Sequence, residues 1–228
     1  MIQRILLFIL TFAFISVSQA KEIRTNGVNM MNSPKWLKRT RVDKVVDRVQ
    51  TYLEWTVRRI NVYWYENEAD FGKVHNLGPL AVAVTIKGQD VVHLGRRVKN
   101  DNFDQVFAHE LVHIIFSQKY QGAIPQWLEE GLASYLSKKG KVDYKWLAKK
   151  PFPPDVRQLT HPFKGSADST RYHYLASQAL TEMIASKCDL TNLLRLSVQR
   201  KLNDYLSTYC EIKDLNADFQ KWIKRKSA

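Results

Sequence analysis

His109-Glu110-Leu111-Val112-His113 constrains this chain more than any other five residues. Around it, Phe103, Val106, Phe107, Leu111, Ile114 and Ile115 recur at three- and four-residue steps. That period predicts an amphipathic helix over 102–118, with Asp101 or Asn102 as its N-cap. Residues four apart on a helix share a face, so His109 and His113 present two imidazole nitrogens to one metal ion. Glu110, rotated by about 100° from His109, points beside that ion and is placed to act as general base toward a water. A hydrolytic zinc site takes three protein ligands and keeps a fourth position open, so a third donor must come from elsewhere. Gly122 and Pro125 punctuate the chain before a second helix over 126–136. Folded back antiparallel across residues 119–124, that helix brings a carboxylate to the two histidines. Spacing does not choose between Glu129 and Glu130.

The rest of the chain sets the frame for this helix pair. Residues 1–20 place Arg4 before an apolar run from Ile5 to Val17, with Ser18-Gln19-Ala20 as a small-residue exit. This order reads as a secretory signal peptide, with an uncleaved N-terminal anchor as the alternative. The expected location is exported, periplasmic or extracellular, with no transmembrane segment after cleavage. Residues 21–228 are long enough for a single domain with a sizeable core. Its expected parts are a sheet-containing lobe over about 21–118 and a helical lobe over about 119–228. The sheet comes from a strand at 59–65, alternating Ile60, Val62 and Trp64, and from strands at 80–86 and 91–94 around the turn Lys87-Gly88-Gln89-Asp90. Ser33-Pro34 opens an expected helix running to about residue 56. Four prolines make 151–168 a loop that forms part of the cleft rim, and helices follow near 170–186, 189–200 and 213–225. The fold class is therefore α+β.

Charge and cysteines add two expectations. A net charge of +13 favours anionic partners, such as acidic peptides or cell-wall polymers, and acts mainly on encounter rate. The basic residues are scattered and no nucleic-acid-binding module accompanies them, so no specific nucleic-acid partner is expected. Cys188 and Cys210 permit one intramolecular disulfide, which an exported chain can form. His75, His93 and His161 have no partner at ligand spacing and receive no role.

The run Trp127-Leu128-Glu129-Glu130-Gly131-Leu132-Ala133-Ser134-Tyr135, set after the His-Glu-x-x-His helix, resembles the gluzincin metallopeptidases, the thermolysin-like group that includes the large zinc aminopeptidases. The resemblance covers roughly residues 101–136. It implies a thermolysin-like catalytic core and one zinc ion per chain, with Glu130 as third ligand and Glu129 next to it as a supporting or surface carboxylate. A weaker similarity, Tyr174-Leu-Ala-Ser-Gln-Ala-Leu, points to the aminopeptidase helix whose tyrosine stabilises the oxyanion. Tyr174 is the candidate, with His173 and Tyr172 as alternatives in the same turn. Sixteen residues separate His113 from Glu130, slightly fewer than in the large aminopeptidases, which implies a shorter connection.

The Gly-x-Met-Glu-Asn segment that grips a free amino terminus in those aminopeptidases is missing here. The expectation is thus a zinc-dependent hydrolase of peptide bonds, an endopeptidase rather than an aminopeptidase. An extended substrate would add as a strand to 80–86 or 91–94. An exported zinc-binding module without turnover, and an amidase acting on cell-wall peptides, are the alternatives.

Overall fold

The computed structural model describes residues 21–137, 140–160, 165–198 and 201–228. The expected signal peptide and His161 lie outside the described residues. The chain is α+β: a mixed five-stranded sheet from the N-terminal part, then a helical region.

Two short strands come first, β1 (Lys21–Arg24) and β2 (Val28–Ser33), antiparallel to one another. Helix α1 (Arg39–Leu53) crosses over to β3 (Ile60–Trp64), which pairs parallel with β2. After α2 (Glu68–Lys73), the hairpin β4 (Ala83–Ile86) and β5 (Val91–Leu94) completes the sheet in the order β1-β2-β3-β5-β4. The turn between β4 and β5 places Gly88 at φ 80°, where a side chain would strain the backbone.

Ser33 does not open a helix. It is the last residue of β2, opposite Lys21, and its hydroxyl donates to the Lys21 carbonyl at 2.7 Å. The next residues instead carry Leu37 into the core and lay Trp36 edge-on against Trp64 and Phe103, so α1 starts only at Arg39. Its end is also earlier than expected, because Glu54 turns left-handed and Lys119 donates to the freed Leu53 carbonyl at 2.6 Å. β5 lies between β3 and β4, so its backbone is paired on both sides. That removes it as a strand to which substrate could add and leaves β4 at the edge.

Helix α3 (Phe103–Ile115) carries the His-Glu-x-x-His run. Asn102 is its N-cap residue but does not cap with its side chain, which accepts instead from the Lys99 backbone N–H at 2.7 Å. Past Ile115 the chain widens into a π-helical turn, Phe116–Tyr120, rather than continuing as α-helix to 118. Such turns re-aim side chains, and here Ser117 accepts from Gly88 N–H while Gln118 accepts from Trp55 Nε1 and Arg58 N–H. The turn ends on two left-handed residues, Gln121 and Gly122.

Helix α4 (Gln126–Ser137) returns alongside α3, followed by the short α5 (Tyr144–Leu147). Then come α6 (Ala167–Ala185), α7 (Leu190–Ser197), α8 (Leu202–Thr208) and α9 (Leu215–Ser227). One continuous buried cluster runs from Ile23 in β1, through α1 and α3, to Ile223 in α9. The loop at 151–160 does not line the cleft; Val156 and Leu159 are buried, and the Val156 N–H donates to the Asn216 side chain of α9. Cys188 and Cys210 form the expected disulfide, joining the end of α6 to the end of α8. Closing that loop stabilises the fold by roughly 3 kcal/mol in the chain-entropy account. Among the described residues, no helix is long and apolar enough to cross a membrane.

Candidate metal centre

Every residue of α3 from Phe107 to Ile115 is buried, although the helix has an amphipathic sequence. Leu111, Ile114 and Ile115 face core, while the opposite side is covered by α4, α6 and β4 around a cleft. Five polar side chains meet on that covered side, His109, Glu110, His113, Glu129 and Glu130, each between 6% and 8% exposed. Burying so many ionisable groups is costly unless they are paired or hold a metal.

His109, His113 and Glu130 form a group able to hold a metal ion, with one donor atom from each within 4.8 Å of the others. Glu130 Oε2 stands 3.5 Å from His109 Nε2 and 3.6 Å from His113 Nε2. Two metal–ligand bonds of about 2.1 Å opened at the tetrahedral angle span roughly 3.4 Å, so the spacing suits an ion between them. Glu130 Oε2 is buried and has no hydrogen-bond partner among the described residues, as expected of an atom whose partner is a cation. Two imidazoles and a carboxylate are the donor set of catalytic zinc sites.

The electrostatics agree with a site that seeks positive charge. Burial works against the charged form of His113, yet Glu130, Glu129 and Glu110 together outweigh it and push its pKa up to about 10. Burial alone would raise the Glu130 carboxyl, but His113 and His109 hold it well below the usual carboxylate range. Glu129 is likewise held low against the effect of burial, by His113 and Lys87. In the absence of a metal, these carboxylates favour the protonated form of His113.

Glu129 does not join the donor triad. Its Oε1 lies 2.6 Å from His113 Nδ1, on the far side of the ring from Glu130. Helix rotation separates the two adjacent carboxylates: Glu130 faces the imidazole Nε2 atoms and Glu129 reaches behind one ring.

Glu110 is held by Thr85 of β4, whose hydroxyl donates to Glu110 Oε2 at 2.6 Å. Tyr174, on α6, packs against His109 with ring centroids 6.0 Å apart and lines the same cleft. Burial first, then Glu130 and Glu110, push its hydroxyl well above the usual phenol range, so it remains protonated. The two alternatives in that turn are absent from the cleft lining among the described residues: Tyr172 donates to the Pro151 carbonyl, and His173 stacks edge-on against Tyr172. Of the remaining histidines, His93 pairs with the Tyr65 hydroxyl, away from the triad. His75 lines the cleft and accepts from the Leu77 N–H.

Two residues of the centre, Thr85 and Lys87, are placed by the sequence only in a strand and its turn, with no role at the site. Thr85 lies within β4 and Lys87 is the first residue of the turn that follows it; Thr85 reaches Glu110 and Lys87 reaches Glu129. The available signal was a pair of polar residues two apart in the apolar run Ala83-Val84-Thr85-Ile86-Lys87. The cleft that they border has a volume of about 1040 Å³ and is walled by Val82, Val84, Val106 and Leu175.

An α+β chain with a buried His-His-Glu group able to hold a metal ion is thus the class that fold and site define. The chain matches no protein-family model, and a search of curated proteins returned no match.

Proposed function

We propose that this chain is a zinc-dependent peptidase of the gluzincin type, cleaving within peptide chains rather than from a free amino terminus. The observation that carries the reading is the convergence of His109 Nε2, His113 Nε2 and Glu130 Oε2 next to a carboxylate, Glu110, which is outside the donor triad. A site that only stored metal would have no use for that fourth group. Zinc, when bound, supplies a Lewis acid that acidifies water and polarises a carbonyl.

The chain's own residues perform the remaining work. Glu110 takes the proton of the attacking water and hands it to the departing amine. Thr85 fixes the carboxylate by its hydrogen bond to Oε2, leaving Oε1 for the water. The Tyr174 hydroxyl, kept protonated by burial and by its acidic neighbours, donates to the oxyanion that develops on the scissile carbonyl. β4 is an edge strand along the cleft wall, so an extended peptide can add to it as a further strand. The cleft volume of about 1040 Å³ lies just above the roughly 300–1,000 Å³ typical of small-molecule pockets, which suits several residues of a chain.

Zinc content and hydrolysis of a denatured-protein mixture test the proposal together. Wild type should hold one zinc per chain and cleave; Glu110→Gln should keep the zinc and lose activity by a factor of at least about 10². Glu130→Gln should lose the metal. Zinc bound tightly with no cleavage of any peptide substrate would favour a binding module, and absence of zinc would sink the reading.

A further inference from the structure

We infer that Lys87 and Glu129 are positioning residues that brace the ligand His113 from behind and set how tightly the centre holds its ion. This rests on the reading of His109, His113 and Glu130 as metal ligands. A neutral imidazole that offers Nε2 to a metal carries its proton on Nδ1, and that proton needs an acceptor to fix the plane of the ring. Glu129 Oε1 is that acceptor, at 2.6 Å.

A carboxylate only 6% exposed is itself free to swing or to go unpaired unless something holds it. Lys87 Nζ does so through both oxygens, 2.7 Å from Oε1 and 2.8 Å from Oε2. Lys87 belongs to neither ligand helix: it is the first turn residue after edge strand β4, about half exposed at the cleft. Its hairpin is in turn pinned to the π-helical turn after α3 by the Gly88 N–H, which donates to Ser117 Oγ at 3.1 Å. The ring of His113 is therefore clamped between its own helix, α4 and the sheet edge. An ordinary surface ion pair would couple to none of this.

The test is the zinc dissociation constant, measured by competition with a chromophoric chelator, with thermal unfolding of the metal-free proteins recorded alongside. Glu129→Gln should weaken zinc binding by about 10- to 100-fold, the usual effect of removing such a partner. Lys87→Met should weaken it by about tenfold, and Lys87→Arg, which keeps a charge able to grip both oxygens, should restore most of the loss. Lys87→Met changes a half-exposed side chain and leaves Glu129 paired with His113, and the unfolding record separates any loss of stability from a loss of zinc affinity. If Lys87→Met and Glu129→Gln bind zinc as tightly as wild type, the inference is overturned while the metal reading stands; so too if they lower only the melting temperature. A wild type that takes up no zinc would overturn both.

Discussion

At the scale of single residues, the centre divides into groups that a short sequence period places and groups that only the folded chain assembles. His109, Glu110 and His113 belong to the first kind, because three residues within little more than one helical turn keep their relation wherever the helix goes. Thr85 belongs to the second. Its hydroxyl meets Glu110 across 25 positions of chain, through a hairpin whose docking on α3 no local pattern reveals. Thr85→Val removes that hydrogen bond while keeping the shape. A bond to a charged group contributes about 1.5–3 kcal/mol, so turnover should fall by about tenfold or more while zinc content is unchanged. Steady-state kinetics beside metal analysis checks this, and a variant with wild-type turnover would remove Thr85 from the reaction. Glu130 is an intermediate case: spacing gives only a carboxylate from the following helix and the resemblance selects Glu130, while the rotation that turns Glu130 inward and sends Glu129 behind His113 is a property of the packed pair.

At the scale of elements, the long helices were legible and the short ones were not. α3, α4 and α6 carry many apolar residues at helical spacing, enough for the period to stand out. β1 and β2 escaped because Lys21–Arg24 and Val28–Ser33 bury only Ile23, Val28, Met30 and Ser33, too few to establish an alternation. α2, α5 and α8 span seven residues or fewer and depend on their packing. The crossing of α4 over α6 has its own sequence mark in Gly131. A Cβ there would lie 2.2 Å from Thr181 Oγ1 and 2.4 Å from the Ser177 carbonyl oxygen, so no side chain fits without moving α6. Overpacking of this kind costs about 1–3 kcal/mol. Gly131→Ala should therefore lower the unfolding midpoint and, by shifting Tyr174 away from His109, reduce turnover more than it weakens zinc binding. Denaturant titration and kinetics on the same preparation separate the two effects; a variant as stable and as active as wild type would show that α6 yields freely.

Across the whole molecule, the sheet and the helical region share one buried cluster, with the centre between them. Composition fixed neither this junction nor the site; it bounded the class of chain and gave a basic surface. The metal-free protein has a distinct pH signature. His113, raised to about 10 in the fold, stabilises the native state fully below its ordinary value near 6.5. That contribution is lost as pH rises through about 10. On the zinc reading, metal and this proton compete for the same imidazole, so uptake near pH 7.5 should release about one proton from His113. Calorimetry in buffers of different ionisation enthalpy measures this; zinc binding with no proton release would contradict it. The carboxylates that face the candidate metal position, Glu130 above all, are thus the same groups that favour a proton on His113 when no ion is bound. On the zinc reading, such a chain would be expected to complete its fold before the ion arrives and to take it up in exchange for that proton: first shape, then metal.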